Sequence, residues 1–230
     1  MSYDSEVLAD SPVGYWKLTE TSGTTATDSA ASPHNGTYKA SPTLGVEGPF
    51  GAEDKAAKFT AASLQFVEIA DAVAIRYGDV FTQEFWIKEP AEISTNVLMG
   101  KGSNSGNARI VTKQLRGFKQ NVGEFARTGN VLSAALPWSH LVLVKNAAES
   151  KVYLNGVEQA VTLTAQTCAE TTAVLTIARA SGSAEYATAA LSRVALYKTA
   201  LSKARVEAHY AARGEEPPPE EGTPKLALLL

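Results

Sequence analysis

Residues Asp79 to Pro90, DVFTQEFWIKEP, carry the clearest strand pattern in the chain. Its side chains alternate between two faces with a period of two residues. The apolar face holds Phe81, Phe85 and Ile87, and the more polar face holds Thr82, Glu84 and Trp86. Pro90, which has no backbone N–H, ends the strand. Short segments of the same kind flank it, separated by turn residues, which is typical of a two-sheet sandwich.

Length and composition indicate one soluble β domain. The chain has 230 residues, of which 44% are hydrophobic and 20% charged, and this suffices for one substantial core. The formal net charge is -3, and the four Glu and one Lys of residues 214–230 account for all of it. This balance indicates no basic surface for binding nucleic acid. No apolar run approaches the length of a membrane span, which is about 18 residues or more. We therefore expect neither nucleic-acid binding nor membrane insertion.

The cysteine content and the N-terminus bear on the cellular context. A single cysteine, Cys168, has no partner for an intramolecular disulfide, and three histidines give little support to a zinc site. The first residues lack the basic and apolar regions of a secretory signal. We therefore expect synthesis in the cytoplasm without Sec-type export.

Two local signals fix further elements. Asn155-Gly156 predicts a type I′ hairpin turn, since both central residues of that turn need a positive φ. Residues 202–213 are predicted to form one short C-terminal helix, with Ser202 at the N-cap and Gly214 just after the end.

Residues 215–230 differ in composition from the rest of the chain. They read as a stalk rich in proline and glutamate that ends in an apolar peptide. Such a peptide is suited to dock into the groove or sheet edge of a partner, and a frayed terminus is the alternative. The candidate docking residues are Leu226, Leu228, Leu229 and Leu230. The chain is thus divided into a sandwich at residues 1–214 and a stalk at residues 215–230.

The order of five segments resembles the laminin-G-like or concanavalin-A-like jelly-roll domains of bacterial extracellular proteins and phage virion proteins. These segments are Asp10–Asp28, Phe81–Lys88, Trp138–Val144, Val152–Gly156 and Leu196–Ser202. The resemblance implies an all-β fold, a two-sheet antiparallel jelly-roll sandwich with one short C-terminal helix and an extended tail. It says less about function, because this fold hosts lectins, glycosidases and inert spacers.

The chain departs from the family pattern at one position that matters for metal binding. Members of the family usually carry an acidic pair just before the strand that leads into the helix, and Ser192-Arg193 stands there instead. Calcium needs several oxygen ligands and charge neutralisation. We therefore disfavour calcium and expect no cofactor.

Catalysis is not expected from the central strand. Glycosidases of this fold use two carboxylates on one strand, and Glu84 and Glu89 are the available pair. Their spacing is odd, so in a regular strand they point to opposite faces and do not flank one glycosidic bond. Trp86 also occupies the place of the third acid. His140 lies in a strongly apolar strand, which favours a structural histidine.

Glycan binding needs an exposed aromatic face with polar partners nearby. Trp86, beside Glu84 and Lys88 on the more polar face of its strand, is the best candidate, whereas Trp138 is expected in the core. The loop at residues 100–107 is predicted to be an exposed tip, and a ligand bound at the rim would contact Asn104, Asn107 and Arg109.

These observations together favour a non-enzymatic surface protein of a bacteriophage virion, in the tail, a fibre or a capsid decoration. Its expected partners are virion structural proteins and a host-surface glycan or protein, and a homo-oligomer remains open. The first alternative is a bacterial carbohydrate-binding module, and the second is a glycoside hydrolase.

Overall fold

The computed structural model describes residues 2–88, 96–103, 105–119, 122–132, 137–164 and 166–214. Within these ranges the chain forms seventeen strands and two α-helices, α1 (Tyr3–Ala9) and α2 (Lys203–Ala211). Two short 3-10 helices lie at Ala61–Ser63 and Val73–Ile75. None of the helices in the described ranges has the length and apolar character to cross a membrane.

One sheet, sheet A, contains eight strands in the described part of the chain. They are β1 (Gly14–Trp16), β4 (Thr43–Gly48), β5 (Gly51–Phe59), β7 (Val80–Lys88), β12 (Ser139–Asn146), β13 (Glu149–Leu154), β14 (Val157–Gln159) and β17 (Ala189–Tyr197). Their order is β14-β13-β12-β7-β17-β5-β4, and β1 pairs with β17. The strand predicted from residues 79–90 is β7, which pairs antiparallel with β12 on one side and β17 on the other. Its expected central place is confirmed.

The second sheet, sheet B, contains nine strands in the described ranges. They are β2 (Thr25–Ala26), β3 (Gly36–Lys39), β6 (Phe66–Ile69), β8 (Asn96–Gly100), β9 (Gly106–Val111), β10 (Gln114–Lys119), β11 (Gly123–Thr128), β15 (Val161–Leu163) and β16 (Leu175–Ile177). Their order is β15-β11-β10-β9-β8-β16-β6-β3-β2. Every pair in both sheets is antiparallel, so the predicted all-β, two-sheet antiparallel sandwich is confirmed.

The main core lies between the two sheets. Phe81, Phe85 and Ile87 of β7 point into it, as the alternation of that strand predicts, and Trp16 and Leu18 are also part of it. Burial of such large apolar side chains is the principal stabilising contribution in a chain that has no disulfide.

A second, smaller apolar layer covers the other face of sheet A, where α1 and α2 pack. Trp86 and Tyr197 of the sheet meet Tyr3 of α1 and Tyr210 of α2 in this layer. The sequence predicted α2 and its Ser202 cap, whose side chain accepts a hydrogen bond from the Arg205 backbone N–H. It did not predict α1. The more polar face of β7 is therefore covered by helices rather than by water.

The turn of the hairpin between β13 and β14 has the backbone conformation predicted from the sequence. Asn155 and Gly156 have φ of 52° and 78°, both positive as a type I′ turn requires.

The loop predicted to be an exposed tip is mostly buried, so that prediction is wrong. Lys101 and Ser105 have no more than a trace of exposed surface. The Lys101 Nζ lies 2.7 Å from Asp71 Oδ1 and donates to the carbonyl oxygen of Ala173 at the same distance. These partners compensate the buried ammonium group, and the loop folds inward to reach them.

Candidate functional site

A buried carboxylate organises the helix-covered face of sheet A. Glu84 of β7 is fully buried. Its Oε1 accepts hydrogen bonds from the Tyr3 hydroxyl and from His140 Nε2, each at 2.7 Å. Its Oε2 accepts from the Tyr197 hydroxyl at 2.9 Å, and His209 Nδ1 lies 3.1 Å from both oxygens. Four donors from four different elements therefore converge on one carboxylate.

This arrangement determines the charge state of the cluster. Burial alone would raise the pKa of Glu84, but the hydrogen bonds and charges of His140 and His209 hold that pKa below its ordinary value. Burial and the nearby Glu84 charge raise the pKa of Tyr3 and of Tyr197. The carboxylate is thus ionised and both phenols are neutral donors.

His209 links this carboxylate to the end of α1. Its Nδ1 faces Glu84, and its Nε2 lies 2.9 Å from Asp10 Oδ2, so both ring nitrogens donate to carboxylates. Burial opposes the charged ring, but these two acids raise the pKa of His209 above its ordinary value. Arg205 completes the connection, with its guanidinium 2.8 Å from both Asp10 and Glu6.

The buried cluster holds the two helices on the sheet, and its carboxylate is closed to a substrate. A glycosidase carboxylate has to reach a glycosidic bond, whereas Glu84 has no exposed surface. The prediction that Glu84 contacts a ligand directly is not supported by this position. Glu89, the other acid weighed for catalysis, lies outside the described residues.

Next to this cluster lies an open groove of about 610 Å³, which we call the tryptophan groove. Its aromatic lining residues are Phe50, Trp86 and Trp138, and its polar lining residues are Lys88, Asn155 and Arg213. The volume falls in the range of about 300–1,000 Å³ that is usual for small-molecule sites. The groove is the described feature that best combines aromatic surface with polar groups.

Trp86 lies in the groove differently from the sequence prediction. The expectation of an exposed ring is wrong, because Trp86 is only 1% exposed. Tyr210 stacks on it with ring centroids 6.2 Å apart, while Tyr3 and Phe50 contact it edge-on at 5.8 and 5.2 Å. Trp138, which the sequence assigned to the core, is partly exposed instead. The accessible aromatic surface is therefore that of Trp138 more than that of Trp86.

Two indole groups of the groove have unused hydrogen-bonding capacity. The Nε1 atoms of Trp86 and Trp138 are shielded from water, and neither has a hydrogen-bond partner among the described residues. By contrast, Nε1 of Trp16 in the main core donates to the carbonyl oxygen of His34 at 3.0 Å. Buried donors are paired in most proteins, so these two N–H groups point to an acceptor from outside the described part of the chain.

The rim residues predicted from the loop do not form an exposed contact surface. Asn107 and Arg109 are 0% and 4% exposed, which corrects the expectation of a solvent-facing rim. The Arg109 guanidinium lies 3.6 Å from the ring centroid of Phe118 and 3.3 Å from Glu185. Burial lowers the pKa of Arg109. Asn104 lies outside the described residues, as do Leu226, Leu228, Leu229 and Leu230.

The Ser192-Arg193 position has a structural explanation. The Arg193 guanidinium lies 2.7 Å from Asp54 and 3.4 Å from Asp4, so it occupies the place between acids that a cation would need. Those acids raise the pKa of Arg193 against the effect of burial. Among the described residues no group of three acids, histidines or cysteines is arranged to hold a metal ion.

Sequence reasoning missed most of the groove. No functional role was predicted for Phe50 or Arg213, which line the groove. Asn155 was identified for its turn, and its Oδ1 also accepts from the His140 backbone N–H at 2.9 Å. No periodicity connects these positions, because they lie in segments that are far apart in the sequence.

Solved structures with the same fold include several binding domains. The binding domain of Paraclostridial mosquitocidal protein 1 matches with a TM-score of 0.70 and 15% identity, over 88% of this chain and 52% of that one. Botulinum neurotoxin type C, whose cell entry depends on interaction with two ganglioside molecules, matches with a TM-score of 0.65 and 11% identity, over 90% and 52%. This chain thus spans about half the length of those toxin domains.

A third structure matches over almost its whole length. Domain 4 of AbnA, an extracellular arabinanase of Geobacillus stearothermophilus in complex with arabinotriose, gives a TM-score of 0.61 and 14% identity, over 86% of this chain and 98% of that domain. At such identities these likenesses establish the fold alone. No curated protein sequence matches the chain.

The family model of laminin-G-like domains matches residues 62–207. This range includes β7, β12, the β13–β14 hairpin and most of α2, which are the elements that carry the sandwich and its buried carboxylate. The chain therefore belongs to the concanavalin A-like lectin/glucanases superfamily.

Proposed function

We propose that this protein is a non-catalytic carbohydrate-binding domain that takes a saccharide in the tryptophan groove. The observation that carries the proposal is a pair of shielded indole N–H groups, those of Trp86 and Trp138, which have no acceptor within the described ranges and lie in a groove of suitable volume. A sugar offers hydroxyl acceptors for such donors and an apolar face for the partly exposed Trp138 ring. Asn155 and Lys88 add an amide and a cation beside them.

The alternative of a glycoside hydrolase is less well supported. The central strand holds Glu84 as its one acid among the described residues, and that carboxylate is buried and fully paired. The similar solved structures include the binding domain of a mosquitocidal protein and domain 4 of an arabinanase in complex with arabinotriose. These neighbours favour recognition over hydrolysis.

The test is a binding measurement on the full chain with Trp138→Ala. We expect titration with a panel of oligosaccharides to give saturable binding, and the variant to weaken it at least about tenfold, as loss of an aromatic anchor does. Leu163→Ala, in β15 at the edge of sheet B, is the control and should leave affinity unchanged. Trp86→Ala is a poor test, because removing this buried ring would also destabilise the fold.

The binding proposal fails if no saccharide in the panel binds, or if Trp138→Ala binds as tightly as the unchanged chain. A hydrolysis assay on the same panel checks the enzymatic alternative, for which released reducing ends would be the positive result.

The second candidate function is the virion role predicted from the sequence, with the sandwich contacting the host surface and the apolar C-terminal residues docking to a virion protein. The likeness to a binding domain of a mosquitocidal protein, and to a neurotoxin whose cell entry depends on gangliosides, supports surface recognition in general. We would test the docking step by sedimentation with virions that lack the protein. Replacing Leu226, Leu228, Leu229 and Leu230 together by Ser should abolish co-sedimentation, and retained co-sedimentation would refute it.

A further inference from the structure

The tryptophan groove reaches the last described residue of the chain. Gly214 follows α2 with a φ of 87° and is part of the groove lining, next to Arg213. The chain therefore leaves the described part of the structure at the groove itself. The five residues that come next, 215–219, read Glu-Glu-Pro-Pro-Pro.

The sequence of this segment fits the chemistry of the groove. Proline-rich peptides favour the polyproline II conformation and bind in grooves lined by aromatic side chains. The tryptophan groove supplies Phe50, Trp86 and Trp138. Five residues in that conformation span about 15 Å, and they begin directly after Gly214, which lines the groove.

The indole N–H groups of the groove also match the hydrogen-bonding capacity of the segment. A polyproline II helix has no internal hydrogen bonds, so all its carbonyl oxygens are free to accept. The Nε1 donors of Trp86 and Trp138 are shielded from water and have no acceptor among the described residues. Carbonyl oxygens of a proline run at the groove would pair them.

Charge provides a third match. Lys88 lies in the groove lining, and the segment that leaves at Gly214 begins with two glutamates. An ammonium group and carboxylates attract each other at short range, most strongly where the site is partly dehydrated.

We propose that the tryptophan groove is a binding site for residues 215–219 of the same chain. Because the segment is joined to the groove without a linker, its effective concentration is in the millimolar range or above. Docking of the segment would exclude a saccharide from the groove. That competition rests on the proposed function, whereas the docking does not.

The test follows the indole N–H groups in the full chain by proton exchange measured in NMR spectra. The variant replaces Pro217–Pro219 together by Ser, and Pro224→Ser in the same tail is the matched control. We expect the variant to speed exchange at Trp138 and Trp86 about tenfold or more, the change that about 1.4 kcal/mol of docking free energy produces. Trp16, which is paired within the core, is the internal reference and should not change.

The charge match is tested separately. Lys88→Glu should speed the same exchange, and combining it with Glu215→Lys and Glu216→Lys should restore slow exchange. Restoration by the reversed charges would not occur if Lys88→Glu had only damaged the fold.

Unchanged exchange at Trp86 and Trp138 in the proline variant would overturn the proposal.

Glycan titration of the same variants separates the two proposals. Tighter saccharide binding by the proline variant supports both of them. Faster exchange without any saccharide binding supports the docked segment and refutes the carbohydrate site.

Discussion

Replacing Glu84 by Ala is expected to lower the free energy of unfolding by about 3–5 kcal/mol, because it removes the charge from a buried, paired group. The structure gives this estimate its basis: two phenols and two imidazoles lose their common acceptor, and all are buried. Domains of this kind are stable by about 5–15 kcal/mol in total. The variant therefore stands to lose a large part of its stability.

Glu84→Gln provides a graded version of the same experiment, in case the Ala variant does not fold. The amide keeps the shape and one acceptor oxygen, but its N–H₂ group faces donors such as His209 Nδ1. We expect a loss of about 1–3 kcal/mol, the usual cost of a buried group left without its partner. Urea unfolding followed by tryptophan fluorescence at pH 6 measures it, as a lower midpoint with an unchanged slope.

The matched control is Glu207→Gln. This glutamate lies on the exposed side of α2, 3.6 Å from Lys203, with half of its side chain exposed. Exposed pairs of this kind contribute at most about 0.5 kcal/mol. If Glu84→Gln costs no more than Glu207→Gln, the idea that Glu84 holds α1 and α2 on the sheet is refuted.

Two further predictions concern pH and packing. The raised pKa of His209 gives stability that is complete below the ordinary histidine pKa and is lost as the pH rises through the folded-state pKa. The free energy of unfolding should therefore fall above about pH 6.5. The His209→Gln variant should show a flatter pH profile, and an equal slope in both proteins would contradict the assignment. Gly117→Ala should cost about 1–3 kcal/mol in thermal or urea unfolding, because the added methyl group runs into the ring of Phe125. Gly129→Ala, which meets no atom within 4 Å, is the control, and equal effects would refute the packing argument.

The elements that the sequence predicted are those with a local signal. The alternation of β7 separated Phe81, Phe85 and Ile87 from the other face correctly, because side chains of a strand point alternately to its two sides. The hairpin at Asn155 and the Ser202 cap of α2 each depend on the conformation of a few neighbouring residues. Such local conformational preferences do not depend on distant parts of the chain.

The candidate site was predicted poorly, because its geometry depends on distant segments. Trp86 and Glu84 were assigned to the correct face of β7. That face was expected to be exposed to solvent, but α1 and α2 pack on it. Helix α1 has only seven residues, too few to be stable without the sheet beneath it. The loop at residues 100–107 was read as exposed from its turn-forming residues, whereas Lys101 draws it inward by pairing with Asp71.

The convergence of donors on Glu84 has a consequence for folding of the protein during its synthesis on the ribosome. Glu84 and His209 are 125 positions apart, and Arg205 follows Glu6 by 199. At about 5–20 residues per second, roughly 6–25 s pass between synthesis of Glu84 and of His209. During that interval the nascent sandwich has a central strand whose carboxylate lacks part of its cover, and α1 has no counterpart to pack against. We therefore expect the first helix to settle last, together with the final helix, so that a ribosome stalled before α2 would carry a sheet with one open face.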